Sequence, residues 1–226
     1  GDQSGVMRTL NNLGDLYARR GDHTQARKTF EELLPLTEST GNSYAQSTVR
    51  TNLAANLAES GETGRALALH QQALTDFRIL GDRKSQATAH NGLGEAHFKE
   101  DSVDASVDNH LKALDIARDI GATQEITRAL RGLGRVELNS GRLDSAAQHL
   151  KASIATAHKA NARDEEARAQ ALLAEVQLAA GNAAQARELL QKALSTLRAL
   201  DHREAERISA RLARVDDGTA NLTTGE

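Results

Sequence analysis

The sequence matches itself when it is shifted by 40 residues. Gly21 becomes Gly61, Asp101, Gly141 and Gly181, and Leu13 becomes Leu53, Leu93, Leu133 and Leu173. Gly14 becomes Ala54, Gly94, Gly134 and Ala174, while Ala26 becomes Ala66, Ser106, Ala146 and Ala186. A second break recurs midway between successive copies of the first, at Gly41, Gly81, Gly121, Asn161 and Asp201. Five copies in register without an insertion restrict the fold more than any other feature. A fixed period of this size means one supersecondary unit, stacked on copies of itself.

Each copy reads as two helices. Leu10, Leu13, Gly14 and Tyr17 share one face at helical spacing, as do Ala26, Phe30, Leu33, Leu34 and Thr37. Ala, Leu, Arg, Glu and Gln are plentiful and Pro occurs once, as suits an all-α chain. The spacing predicts first helices near 5–20, 45–60, 84–100, 124–140 and 164–180, and second helices near 24–40, 64–80, 104–120, 144–160 and 184–200. Gly at the breaks supplies the left-handed conformation that ends a helix. Asp82, Asp104 and Thr123 stand where starting caps are expected. Gly14 and Ala26, on either side of the turn at Gly21, are expected face to face, small on both sides so that the helices approach closely.

Leu13-Gly14, Tyr17, Ala26 and Phe30 at these spacings resemble the tetratricopeptide repeat (TPR). A TPR period is about 34 residues, and the extra length here reads as about one added turn in the second helix and linker. HEAT units do not impose the small–small pair. The run Leu10–Leu13, "LNNL", is similar to kinesin light chain repeats. Leu80–Arg83, "LGDR", and Asn91–Glu95, "NGLGE", resemble TPR regions of large actinobacterial regulators. The resemblance covers roughly residues 5–215. It implies a right-handed superhelical solenoid of five hairpins, about 1–40, 41–80, 81–120, 121–160 and 161–200, closed by a polar capping helix at 203–215. The solenoid then spans 1–216, and 217–226 is expected to be disordered. Tyr17 gives way to Leu57, His97, Glu137 and Gln177, and Phe30 to His70, His110, Leu150 and Leu190, so the aromatic plugs fade along the chain. Asp101 in place of the turn Gly is expected to loosen the third turn. The first repeat has no counterpart of the cap, so the array is expected to continue upstream, dock on something or self-associate there. Gly1 in place of Met points to a piece of a longer chain.

The same residues exclude much chemistry. The net charge of −3 and an aromatic content of 2% argue against direct nucleic-acid binding. No Cys means no thiolate and no disulfide, which fits a cytoplasmic location. No apolar run approaches the roughly 20 residues that span a bilayer. "GLGE" and "GLGR" fall inside helices and cannot cradle a phosphate, and no GxxxxGK[ST] or HExxH occurs. No cofactor, metal or catalytic group is expected. His70 and His110 occupy the position of Phe30, where packing at the helix seam explains them; His90 and His97 lack close ligand spacing. Asp164-Glu165-Glu166 opens a helix, where negative charge favours the dipole.

The resemblance implies that the first helices line a concave groove that binds a peptide or partner protein. Facing inward would be Arg8, Asn11, Asn12 and Asp15; then Thr48, Thr51 and Asn52; then Thr88, Asn91, Glu95 and Lys99; then Arg128, Arg131 and Arg135; then Arg168 and Glu175. The Asn side chains offer both donor and acceptor to an extended backbone. Arg128, Arg131 and Arg135 lie on one helix face and could clamp an acidic motif or a C-terminal carboxylate; the alternative is a solvated face with Glu95, Glu137 and Glu175 nearby. The fold thus suggests a non-catalytic interaction module, or, as the biological context, the sensor and autoinhibitory region of a regulator whose ATPase and DNA-binding domains lie outside the chain.

Overall fold

A computed structural model of the chain describes residues 3–218. The described residues form eleven helices and no strand. The odd-numbered members are α1 (Gln3–Arg20), α3 (Ser43–Glu59), α5 (Arg83–Lys99), α7 (Thr123–Asn139), α9 (Arg163–Ala179) and α11 (Glu204–Asp216). The even-numbered members are α2 (His23–Ser39), α4 (Thr63–Ile79), α6 (Val103–Asp119), α8 (Leu143–Lys159) and α10 (Ala183–Ala199). From α2 to α10 every helix has 17 residues. The long period is therefore shared between both helices of a repeat, rather than placed in the second helix and linker alone.

The breaks share one geometry. Each turns on a residue with φ between 51° and 85°. That residue is Gly at most breaks, but Asp101, Asn161 and Asp201 adopt the same conformation. Asp and Asn tolerate it better than other side chains do. The turn at Asp101 is as tight as its equivalents: Ser102 N donates to His97 O at 2.9 Å, as Arg142 N does to Glu137 O at 2.9 Å. This corrects the expectation of a looser turn, because the backbone hydrogen bonds of the motif do not require Gly. Asp22, Asn42 and Asp82 cap their helices, each accepting from the backbone three residues on at 3.0 Å. Asp104 and Thr123 do not: Asp104 lies in the first turn of α6 behind Ser102, and Thr123 is the first residue of α7.

The chain divides between Glu125 and Ile126 into two compact units. In both, consecutive helix pairs pack as TPR hairpins. The residue at the Phe30 position is the plug of each hairpin: Phe30, His70, His110, Leu150 and Leu190 are all buried. A Cβ built on Gly14 would stand 2.6 Å from Phe30 Cε1; on Gly94 it would stand 2.7 Å from His110 Cε1, and on Gly134 2.5 Å from Leu150 Cγ. The small residue thus makes room first for the plug on the facing helix, with the position equivalent to Ala26 beside it: a Cβ on Gly134 would stand 3.3 Å from Ala146 O. The position equivalent to Ala26 still lies close to the backbone, where Ser106 Oγ donates to Gly94 O at 2.7 Å.

At the end of the second unit, Ala205, Ile208 and Val215 of α11 are buried in one cluster with Ala171, Ala174, Leu178 and Leu190. The helix covers the last hairpin as a cap should. Of the tail expected to be disordered, Asp217 and Gly218 form a turn, and 219–226 lie outside the described residues.

Candidate interaction surface

In the first unit the odd helices meet one another through polar side chains. Asn52 of α3 donates to Asn11 of α1 at 3.1 Å, and Lys99 of α5 reaches Glu59 of α3 at 3.2 Å. The even helices form a second layer, in which Arg65 of α4 reaches Glu31 of α2 at 3.3 Å. The plugs lie between the layers, so each layer keeps one face for solvent.

On the odd-helix layer, Arg8, Asn12 and Lys99 are exposed, and Asn11, Asp15, Thr48, Asn52 and Glu95 are half-buried. Burial raises the Asp15 carboxyl, with Arg19 acting against the shift. Asn91 is different. It is buried, its amide donates to Glu125 O at 3.2 Å, and its oxygen accepts from His110 Nδ1 at 3.2 Å. Its hydrogen-bonding groups hold α5 to α6 and to the start of α7, so it is not available to a ligand as the sequence suggested. Asn11 and Asn52 are joined to each other, which leaves Asn12 as the exposed amide of the set.

In the second unit the predicted arginine clamp already grips a carboxylate. Arg128 Nε and Arg131 Nε donate to the two oxygens of Glu165 at 3.0 and 3.1 Å. Arg168 lies 3.9 Å from the same carboxylate and 3.0 Å from Glu204. The side chains of Arg131 and Glu165 are 8% and 3% exposed, so Arg131 is a buried partner of α9 and not a surface ligand. Burial alone would raise the Glu165 carboxyl, but Arg131, Arg168 and Arg128 outweigh it and hold it down at about 2. Arg135 is half-buried. Glu175 is gripped by the fork of Arg211, at 2.9 Å from Nε and 2.7 Å from Nη2.

Two of these contacts are one contact repeated. Asn91 meets Glu125 and Arg131 meets Glu165, each across 34 residues, and the two pairs are one period apart. One period further on, the same columns hold Ala171 and Ala205, both buried. Glu165 and Glu204 are members of this network that the sequence spacing does not single out, and the helix expected only as a polar cap contributes Arg211 to it. The signal was available: an acid at 125 and 165 interrupts a column otherwise occupied by Ala45, Ser85 and Ala205.

His70, His90 and His110 belong to the interior. His70 is 1% exposed, neither ring nitrogen has a hydrogen-bond partner, and burial lowers it to about 4. It packs beneath Gly92, where a Cβ would stand 2.3 Å from its Cε1. Burial also lowers His90, whose Nδ1 pairs with Asn109 at 3.0 Å. Among the described residues no group of three or more His, Asp or Glu could hold a metal ion, and no helix is long and apolar enough to cross a membrane.

A stack of helical hairpins with a polar odd-helix layer and buried plugs defines a helical-repeat interaction scaffold. The tetratricopeptide repeat model matches residues 5–78, 85–159 and 125–199, and the chain belongs to that family. No curated protein sequence matches it significantly. Solved structures similar to it include a putative kinesin light chain of Podospora anserina with nearly identical TPR-like repeats, at 18% identity and a TM-score of 0.60, over 84% of this chain and 94% of that one. A Rap protein complexed with competence and sporulation factor aligns at 16% identity and a TM-score of 0.70, over 97% of this chain and 66% of that one. A signal transduction ATPase with numerous domains and a TPR sensor, from Pyrococcus horikoshii, aligns at 17% identity and a TM-score of 0.67, over 94% of this chain but 33% of that one.

Proposed function

We propose that the chain is a non-catalytic module that binds a peptide or partner domain on the face of its odd-numbered helices. The observation that carries this reading is the contrast between the two sides of that layer. Inward it is closed by plugs and by the Asn91–Glu125 contact; outward it presents Arg8, Asn12 and Lys99, with Asn11, Asp15, Thr48, Asn52 and Glu95 around them. Amides and charges of both signs on rigid helices suit an extended backbone with polar side chains. The Rap structure supports the reading by analogy of fold, since that protein is seen with a bound factor. In the second unit the face offers the half-buried Arg128 and Arg135 and Glu175, which Arg211 holds in place; Arg131 supports Arg128, both donating to Glu165.

The test is capture from native extract by the wild-type chain and by an Asn12→Arg/Lys99→Glu variant of unchanged helicity. Proteins held by the wild type and lost by the variant support the face. A set of partners retained equally by both contradicts it.

A second reading gives the chain a place as the sensor and autoinhibitory region of a larger cytoplasmic regulator of actinobacterial type. The likeness to the Pyrococcus ATPase, of which the chain spans a third, favours it. A phosphate-binding loop and a helix-turn-helix encoded upstream of Gly1 would support that context, and a start codon just before Gly1 would contradict it.

A further inference from the structure

The last helix does more than cover the final hairpin. Between α9 and α11 lies a cleft of about 320 Å³. Its floor is apolar, from Ala171 and Leu172 of α9, the plug Leu190 of α10, and Ile208 of α11. Its rim carries Arg207, Arg211 and Arg214, against one lining carboxylate, Glu175. All these residues lie in the second unit.

A helix that only shields a hairpin from water needs polar residues of either sign. This one places three arginines at i, i+4 and i+7 on the face that borders the cleft. Like charges at such spacings weaken a helix, so the arrangement runs against the local stability of α11. Arg211 ties α11 to α9 through Glu175, and three guanidiniums against one lining carboxylate give the rim a positive excess. The lining carboxylate does not neutralise the rim: Glu175 engages Arg211, and by doing so fixes the direction of its guanidinium. Arg207 is 75% exposed, with Glu204 only at 3.6 Å.

We infer that the α9–α11 cleft is a binding site for an acidic peptide segment, taking an apolar side chain onto the Leu172–Leu190–Ile208 floor and the adjoining carboxylates on Arg207, Arg211 and Arg214. The inference rests on the interaction-module reading and assigns a partner chemistry to its last hairpin. The apolar side chain gains burial, and the carboxylates gain charge-assisted hydrogen bonds to guanidiniums.

The test is a selection of short randomised displayed peptides on the intact chain, followed by binding measurements on wild type and on an Arg207→Glu/Arg214→Glu variant checked for helicity. Neither arginine belongs to the buried cluster under α11, so the fold is expected to persist. The account predicts enrichment of peptides with an apolar residue beside Asp or Glu, binding that weakens with salt, and a loss of about tenfold or more in the variant. A Leu172→Glu variant gives a second reading, because it charges the floor while keeping the rim. Acidic peptides that bind wild type and both variants equally would overturn the site. Peptides lost instead on Asn12→Arg/Lys99→Glu would overturn it while leaving the interaction module standing. Failure to enrich any peptide would count against both.

Discussion

Gly14 and Phe30 meet so closely that a Cβ on Gly14 would stand 2.6 Å from the Phe30 ring. Helix propensity favours Ala over Gly by about 1 kcal/mol, yet Gly14→Ala is expected to destabilise, by about 1–3 kcal/mol, because the ring has to move. Gly64, inside α4 with nothing within 4 Å of its Cβ position, is the control. Gly64→Ala should stabilise by up to about 1 kcal/mol. Denaturant midpoints of the two variants check both signs. Combining Gly14→Ala with Phe30→Ala should cost less than the sum of the two changes.

The hairpin contact shows how far the sequence is legible. The period and its left-handed breaks are backbone features, and they locate every helix to within its end residues. The partner of Gly14 is a side-chain feature. Reflection through the break at Gly21 and Asp22 brings Gly14 opposite residue 29, and the Phe30 side chain leans back toward the start of its helix. Pairing Gly14 with Ala26 by sequence separation finds a true neighbour position but, ignoring that lean, misses the plug. The arginine stripe hides its partner for a related reason. Arg128, Arg131 and Arg135 look like an open clamp within one helix, whereas Glu165, which closes it, is in the next repeat. It becomes visible only when the facing columns of neighbouring repeats are compared.

His70 makes the fold sensitive to acid. Its folded value of about 4 lies below the ordinary 6.5, so the unfolded chain takes up a proton first. Its contribution is fully present above pH 6.5 and is lost as pH falls from 6.5 to about 4. The loss approaches about 3 kcal/mol at the lower end, from about 1.36 kcal/mol per pH unit. His70→Leu, which places there the residue found at Leu150 and Leu190, should flatten this part of the profile. Urea unfolding between pH 7 and pH 4 checks it; an unchanged slope would contradict the neutral, buried imidazole.

Glu165 acts in a lower window. Its folded value of about 2 lies below the ordinary 4.5, so its contribution is present above pH 4.5 and fades as pH falls toward 2. Glu165→Ala leaves Arg131 buried without its carboxylate and should cost about 3–5 kcal/mol. Arg131→Glu should destabilise at least as much, since it sets a second carboxylate against Glu165. Arg131→Ala with Glu165→Ala copies Ala171 and Ala205 of the next repeat, and should cost less than the sum of the single changes. Thermal unfolding of the three alanine variants closes the cycle.

The central claim is that partners dock on the odd-helix face. Hydroxyl-radical footprinting of the chain with a captured partner tests it most directly. The account predicts protection at Arg8, Asn12 and Lys99 in the first unit, or at Leu172, Arg207 and Arg214 in the second, with Glu32, Gln72 and Lys151 of the even helices unchanged. Protection confined to Glu32, Gln72 and Lys151 would contradict it.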